Sequence, residues 1–370
     1  MAIRKSAALI AGLAVVFGAM AGCSADRTPA SAGSSGGDKP LIGITMPTVS
    51  LERWNNDGAG LKKQLEDMGY KTMLDYADNK NEQQIQQLEN QINSGAKVLV
   101  IASIDGKTLG PTLQKAADKG IKIIAYDRLI MGTPNVDYYA TFDNYKVGQL
   151  QGNYIKDNAK LDSATAPLNF EPFAGSPDDN NASLFFQGAW DVLKPYVDSG
   201  KLVINSETGK KAAGNWQDIG ILEWKSATAQ SEMENRLNSF YTDKKVQVVL
   251  SPNDSLALGI AQALETKGYV VGKDWPILTG QDGDVANVKN VLAGKQSMTV
   301  WKDTRELAKK VAAMVDEIVS GKTVTTNDTK TYNNGNKVVA SYLLDPQVVT
   351  KDDVQSKLVD SGFITADKLK

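Results

Sequence analysis

The sequence contains no histidine among its 370 residues, and this absence excludes a large group of reactions. Histidine is the usual general base near neutral pH and the commonest metal ligand in proteins. Catalytic triads and dyads that use an imidazole are therefore excluded, and a zinc site is strongly disfavoured. The single cysteine, Cys23, has no second cysteine with which to form an internal disulfide.

The sequence also lacks an excess of either charge. Lysine and arginine number 41 against 43 aspartate and glutamate, a net charge of −2. Such a balance provides no field to attract nucleic acid or an anionic membrane surface, so neither is expected as a partner. The length fits about two domains, and the 42% of hydrophobic residues is typical of a globular protein.

Nucleotide-binding signatures are missing as well. Gly321-Lys322-Thr323 matches the end of a phosphate-binding loop, but Asp316 stands where that motif needs its first glycine. The triplet also follows a predicted helix, whereas the motif must precede one. A dinucleotide-binding G-x-G-x-x-G does not occur, so the sequence implies no cofactor and no metal.

The first 40 residues have the layout of an exported protein. Arg4 and Lys5 precede an apolar run over residues 7–20, which ends in small residues directly before Cys23. This pattern predicts a signal peptide over residues 1–22. The small residues before the cysteine resemble a lipobox, so we expect Cys23 to carry lipid; the alternative is a free cysteine in an ordinary signal. Residues 23–40, rich in Ser, Gly and Pro, are predicted to be a flexible linker.

From residue 41 onward, short apolar runs alternate with amphipathic segments. Leu41 to Met46 is predicted as a strand and Asp57 to Met68 as a helix, and the alternation continues to a strand ending at Trp301. This order is typical of α/β lobes with parallel sheets. A long amphipathic helix from Arg305 to Val319 follows, and its packing on the first lobe would make the chain cross between lobes more than once.

Polar side chains follow the predicted strands at several places, where open parallel sheets bind their ligands. Helix capping by Asp and Asn, or a structural ion pair between neighbouring residues, is the alternative explanation at each place taken singly. Several such groups at successive strand ends exceed what capping requires. They are Arg53, Asp127 with Arg128, Asp178 to Asn181, Asn253 with Asp254, Gln281 with Asp282, and Lys302.

Two tryptophans suit a particular kind of ligand. The indole face of Trp54 or Trp224 can stack on the C–H surface of a sugar ring, while neighbouring Asp, Asn and Arg groups bond its hydroxyls. Core packing is the alternative for both. The other aromatic candidates, Trp190, Trp216 and Trp275, are expected to be structural.

Several of these motifs resemble those of the periplasmic sugar-binding proteins, particularly the xylose- and multiple-monosaccharide-binding members. The resemblance covers residues 41–370 and rests on Arg53-Trp54, Ala125 to Arg128, Gly175 to Ala182, Ser251 to Asp254 and Gly280 to Asp282. It implies an α/β fold of type I, with two Rossmann-like, doubly wound lobes joined by a three-crossover hinge. Lobe boundaries of 41–143 with 302–343, and 144–301 with 344–370, are expected.

The resemblance also implies the function and the residues of the site. The expected function is an extracytoplasmic lipoprotein at the outer face of the cytoplasmic membrane, a monomer without catalytic residues. It would capture an aldopyranose such as xylose, glucose, arabinose or galactose and deliver it to the permease of an ABC importer. A chemoreceptor or sensor kinase is a further potential partner. Ten residues match positions that contact sugar, with Trp224 in a poorly aligned stretch: Arg53, Trp54, Asp127, Arg128, Asp179, Asn181, Trp224, Asn253, Asp282 and Lys302.

Two other classes of function stay open on the sequence alone. A sensor domain for a sugar or an autoinducer would share the fold. A glycosidase would need paired carboxylates, for which Asp127 and Asp282 could serve.

Overall fold

A six-stranded parallel sheet forms the centre of the first lobe in the computed structural model, which describes residues 39–370. Cys23 and the predicted signal peptide lie outside the described residues. The spatial order of the strands is β2, β1, β3, β4, β5, β11, a doubly wound order that reverses at β1. The strands are β1 (Leu41–Met46), β2 (Lys71–Tyr76), β3 (Val98–Ile101), β4 (Lys122–Tyr126), β5 (Tyr138–Phe142) and β11 (Ala340–Leu344).

Helices cover both faces of this sheet. Successive strand residues point to opposite faces, so Val98 and Val100 belong to one apolar core and Leu99 and Ile101 to another. Such continuous apolar runs are typical of strands that are buried on both faces. Two helices complete the first core, α1 (Glu52–Asp67) and α10 (Thr304–Val319), and two complete the second, α2 (Asn81–Asn93) and α3 (Gly110–Asp118).

The second lobe repeats the strand order on a smaller scale. Its parallel sheet runs β7 (Leu202–Val203), β6 (Leu168–Pro172), β8 (Val248–Leu250), β9 (Ile277–Leu278). A parallel bridge between Gln281 and Val300 adds β10 (Thr299–Trp301), which pairs antiparallel with β12 (Gln347–Val349). The helices are α4 (Asn144–Asn158), α5 (Asn180–Asp198), α6 (Glu207–Lys210), α7 (Ser226–Phe240), α8 (Asp254–Thr266) and α9 (Val285–Ala293).

The chain passes between the two lobes three times, after Phe142, after Trp301 and after Leu344. The long amphipathic helix packs on the first lobe, where Leu307 and Val311 of α10 share the core of Ile42. The strand orders and the three crossings confirm the predicted fold of two doubly wound lobes joined by three crossovers. Among the helices of residues 39–370, none combines the length and the apolar character needed to cross a lipid bilayer.

The structure corrects the start of α1 and adds elements that were not predicted. The helix begins at Glu52, not at Asp57, so Arg53 and Trp54 lie in its first turn. Its N-cap residue, Leu51, makes no side-chain capping bond, and the sequence therefore carried no capping signal there. Strand β5 was also missed, because its pairing with β4 and β11 is a tertiary effect. Residues 207–224 fold into α6 and three short 3-10 helices.

Helices α4 and α5 cross at unusually short range because glycines stand at the contact. A Cβ added to Gly148 would lie 2.0 Å from the carbonyl oxygen of Phe185, and one added to Gly188 would lie 2.1 Å from that of Tyr145. Real Cβ atoms do not approach backbone so closely. The two glycines therefore determine how deeply α5, which carries Phe185, sits against α4.

We expect Gly148→Ala to lower the free energy of unfolding by about 1–3 kcal/mol, because the added methyl must force the two helices apart. Gly110→Ala is a matched control, since Gly110 also lies in a helix and a Cβ there would have no atom within 4 Å. Urea denaturation of both variants checks this. Equal stabilities of the two variants would show that the helix contact tolerates the methyl group.

Candidate ligand-binding site

A cavity lies between the two lobes, at the ends of their strands. All ten residues that the sequence singled out line it, and each is between 1% and 8% exposed. They come from the segments after β1 and β4 in the first lobe and after β6, β7, β8, β9 and β10 in the second. The complete lining is Leu51, Arg53, Trp54, Asp127, Arg128, Asp179, Asn181, Phe185, Trp224, Asn253, Gln281, Asp282 and Lys302.

Asp127 is held by its own backbone at the end of β4. Its φ is +59°, a left-handed conformation that Asp and Asn tolerate better than most residues. Its carbonyl oxygen accepts hydrogen bonds from Tyr139 Oη at 2.7 Å, Thr141 Oγ1 at 2.8 Å and Asn181 Nδ2 at 2.8 Å. The left-handed turn and these three donors fix the direction in which the carboxylate enters the cavity.

Asp179 combines helix capping with a contact between the lobes. Its Oδ1 accepts from the backbone N–H of Asn181 at 2.9 Å, which caps α5. Its Oδ2 lies 2.9 Å from Nε of Arg128, which belongs to the first lobe. The capping interpretation and the site interpretation are therefore both correct for this residue. Burial raises the pKa of Asp179, and the attraction of Arg128 opposes this only in part.

Two further side chains of the second lobe are positioned by neighbouring bonds. Asn253 Oδ1 caps α8 by accepting from the N–H of Leu256 at 3.0 Å. Asp282 has a φ of +109°, and Asp254 stabilises the turn after it by accepting from the N–H groups of Gly283 and Asp284, each at 3.0 Å. The buried Asp254 is thus a support of the loop, and it does not line the cavity.

Two cations and two carboxylates form the charged centre of the cavity. Arg53 Nη2 lies 3.0 Å from Asp127 Oδ2, and Arg53 Nη1 lies 3.6 Å from Asp282 Oδ1. Lys302 Nζ lies 3.1 Å from Asp282 Oδ1 and 3.9 Å from Asp127 Oδ2. With the Arg128–Asp179 pair added, three cations face three carboxylates in the lining. This balance suits a neutral polar ligand better than an ion.

The positive groups keep Asp127 ionised. Burial acts to raise its pKa, because a carboxylate loses hydration in the interior. Arg53, Lys302 and Arg128 together outweigh that effect, so the pKa of Asp127 lies below its ordinary value. An ionised carboxylate only accepts hydrogen bonds, so the Asp127 carboxylate can accept hydrogen bonds that ligand hydroxyl groups donate.

Aromatic rings supply the apolar part of the lining. The guanidinium carbons of Arg53 and Arg128 lie 4.2 Å and 5.1 Å from the ring centroid of Trp54, so cation–π contacts accompany this indole. Trp224 packs edge-on against Phe185, with ring centroids 6.3 Å apart. Its Nε1 is buried and has no hydrogen-bond partner among residues 39–370, so this residue of the lining carries an unsatisfied donor.

Three lining residues were not among the ten matched to sugar contacts: Leu51, Phe185 and Gln281, although Gln281 was among the polar residues noted at the strand ends. Phe185 lies one helical turn after Asn181 in α5, and Gln281 directly precedes Asp282, so helical spacing and adjacency were available signals. Leu51 carried no chemical signal. The tryptophans expected to be structural do not line the cavity: Trp190 stacks on Phe186, and Trp275 Nε1 donates to the carbonyl of Lys295 at 2.9 Å.

Comparison with known proteins places this architecture in one family. The model of a periplasmic binding protein domain matches residues 42–323. The multiple sugar-binding periplasmic receptor ChvE of Rhizobium radiobacter is 51% identical over 334 residues, which cover 90% of this chain and 93% of the receptor. The D-xylose-binding periplasmic protein of Escherichia coli is 37% identical over 322 residues, with 87% and 90% covered.

A solved structure has the same fold. The solute-binding protein of an ABC transporter from Clostridium phytofermentans, with bound β-D-glucose, superposes with a TM-score of 0.84 at 50% identity, covering 89% of this chain and all of that one. The family is one of substrate-binding proteins and not of enzymes. With its family model, its relatives and its two doubly wound lobes in agreement, the chain belongs to the periplasmic binding protein family and has that family's type I fold.

Proposed function

We propose that this protein is a receptor that closes around a neutral monosaccharide in its ring form, an aldopyranose such as xylose, glucose, arabinose or galactose. The observation that carries the proposal is the lining of the cavity, to which both lobes contribute balanced charges and aromatic rings. Relatives that bind several sugars, D-xylose or β-D-glucose support the choice of ligand.

In this proposal all ten predicted residues contact the sugar. The carboxylates and amides accept or donate to hydroxyl groups and select their stereochemistry, while Trp54 and Trp224 cover the apolar ring surface. We further propose that residues 41–143 with 302–343 move as one body, and 144–301 with 344–370 as the other. A ligand held by both bodies favours the closed state, whereas one that contacted a single lobe would not shift the balance.

The role in transport and the location are part of the same proposal. The protein would act outside the cytoplasm, attached through lipidated Cys23 to the outer face of the cytoplasmic membrane, and would deliver sugar to an ABC permease. Mass spectrometry of the mature N-terminus tests the anchor, and an unmodified Cys23 would contradict it. Unchanged aldose uptake in cells without this protein would contradict the transport role. Presentation of the sugar to a chemoreceptor or sensor kinase is the second candidate function.

The charge environment argues against the glycosidase alternative. A general acid in such an enzyme must hold its proton near neutral pH, which requires a raised pKa. Asp127 has a lowered pKa because three cations surround it. The other candidate carboxylate, Asp282, lies 3.1 Å from the ammonium group of Lys302.

Calorimetric titration of the purified protein with D-xylose, D-glucose, L-arabinose and D-galactose tests the proposal. We expect saturable binding of at least one of them, with a change in tryptophan fluorescence, because Trp54 and Trp224 both line the cavity. The linear polyol D-sorbitol is the control, since it has no ring face to stack on an indole, and we expect it not to bind. A protein that releases no heat with any of the four aldoses at millimolar concentration would refute the proposal.

A further inference from the structure

Asp57 is a fully buried carboxylate that lies behind the cavity without lining it. It stands one helical turn after Arg53 in α1, a spacing at which side chains meet. Arg53 donates to Asp57 Oδ2 through Nε at 3.1 Å and through Nη2 at 2.9 Å. The other oxygen, Oδ1, accepts from the hydroxyl of Tyr126 at the end of β4. Asp57 therefore connects the two elements of the first lobe that carry Arg53 and Asp127.

These bonds determine how Arg53 faces the cavity. Two contacts to one carboxylate oxygen, from Nε and from Nη2, restrict rotation of the planar guanidinium. Nη2 also donates to Asp127 at 3.0 Å, and Nη1 faces Asp282 of the second lobe at 3.6 Å. The latter distance exceeds that of a hydrogen bond, so Nη1 keeps its hydrogens available for a ligand hydroxyl.

Fold stability alone explains this arrangement poorly. Removing a carboxylate from water is costly, and a buried ion pair often stabilises a fold no more than well-packed apolar side chains would. Asp57 stands among Trp54, Leu61 and Leu65 on the buried face of α1, where an apolar residue would fit the pattern. Its polar partners are residues of the site or of the strand that ends at the site, as expected for a support of binding groups.

We propose that Asp57 is a positioning residue that holds the Arg53 guanidinium in the orientation required for ligand binding. The inference rests on the proposed function. Without Asp57, Arg53 can turn fully onto Asp127 and Asp282 and occupy the carboxylate oxygens that would otherwise accept ligand hydroxyls. The affinity for the sugar then falls although no residue of the lining has changed.

A double-mutant cycle separates positioning from a structural role. We expect Asp57→Asn to weaken aldose binding by about 10- to 100-fold, as for the loss of a bond to a charged group. In an Arg53→Gln background, Asp57→Asn should weaken binding by less than about threefold, because the guanidinium that Asp57 positions is already absent. Asp67→Asn, on an exposed part of the same helix, should leave binding unchanged. An equal effect of Asp57→Asn in both backgrounds would overturn the proposal.

A second measurement needs no ligand. In ¹⁵N-arginine spectra the Nε–H of Arg53 should exchange slowly in the original protein and rapidly in Asp57→Asn.

If that variant does not fold, Tyr126→Phe removes only the support of Asp57 Oδ1, and we expect a several-fold loss of affinity with folding retained. Unchanged Nε–H protection in Asp57→Asn, or unchanged affinity in Tyr126→Phe, would overturn the inference. A protein that binds no aldose would refute only the proposed function. The exchange measurement would still decide whether Asp57 holds the Arg53 guanidinium in place.

Discussion

Replacing Asp127 with asparagine is expected to weaken aldose binding by about 100-fold or more and to lower the free energy of unfolding by about 3 kcal/mol. The substitution keeps the shape of the side chain and tolerates the φ of +59°, so it removes the charge without adding backbone strain. Arg53 and Lys302 then lose a carboxylate that lies 3.0 Å and 3.9 Å from them inside the protein. Calorimetry and urea denaturation measure the two effects.

The stability effect of this variant should depend on pH in a defined direction. The pKa of Asp127 is lowered in the folded protein, so its charge stabilises the fold at any pH above the unfolded pKa of about 3.9. That contribution is lost as the pH falls through the lower, folded pKa. The difference between the original protein and Asp127→Asn should therefore be constant from neutral pH down to about pH 5 and should shrink below about pH 4.

Asp67→Asn is the control for Asp127→Asn. Asp67 forms an exposed pair with Lys63, and exposed pairs contribute about 0–1 kcal/mol. An Asp127 variant as stable as this control would mean that the buried cations are compensated without Asp127. If the difference in the free energy of unfolding between the original protein and Asp127→Asn grew as the pH fell, this would contradict the lowered pKa of Asp127.

The second large effect is expected from Gly175→Ala, in the segment between β6 and α5. A Cβ on Gly175 would lie 2.0 Å from Cη2 of Trp224, whose indole is 4% exposed and packed against Phe185. Because an approach of 2.0 Å is far shorter than a van der Waals contact, we expect the ring to leave its position. Aldose affinity should fall by about 10- to 100-fold and stability by about 1–3 kcal/mol, as for overpacking.

Gly214→Ala is the matched control for Gly175→Ala, since it lies in the same lobe and its nearest contact would be an ordinary 3.8 Å. Calorimetry gives the affinities, and the emission maximum of tryptophan reports whether an indole has moved towards water. If Gly175→Ala bound sugar as tightly as Gly214→Ala, the position of Trp224 would not matter for binding.

Much of the candidate site was predictable because its residues follow a local rule. In a parallel sheet, the residues that directly follow the strands lie at the same edge of the sheet. The strands themselves can be recognised from apolar runs in the sequence. Asn253 and Asp282 were found in this way and line the same cavity as Arg53. The weakly aligned Trp224 also lines it, with a backbone φ of +55° that no sequence pattern indicates.

Other features were hidden because they depend on contacts between distant parts of the chain. The sequence could not indicate that guanidinium groups would lie close to the indole of Trp54, or that Asp179 would both cap a helix and pair with Arg128. It did not lead to Asp57, because the predicted helix began at that residue and so did not show that Asp57 lies on the buried face of α1. Leu51 was also missed, because an apolar side chain gives no sign in the sequence that it lines a cavity.

The sequence by itself determined the classes of chemistry that are impossible without histidine, the alternation of strands and helices over most of both lobes, and the polar and aromatic residues at the strand ends. These follow from composition and from short-range periodicity, which act along the chain. Only the tertiary structure decided which charges face each other, how they shift the pKa of Asp127, and which supports hold them in place. Those properties depend on the distances between side chains in the folded protein, and these distances are set by packing and not by the order of neighbouring residues.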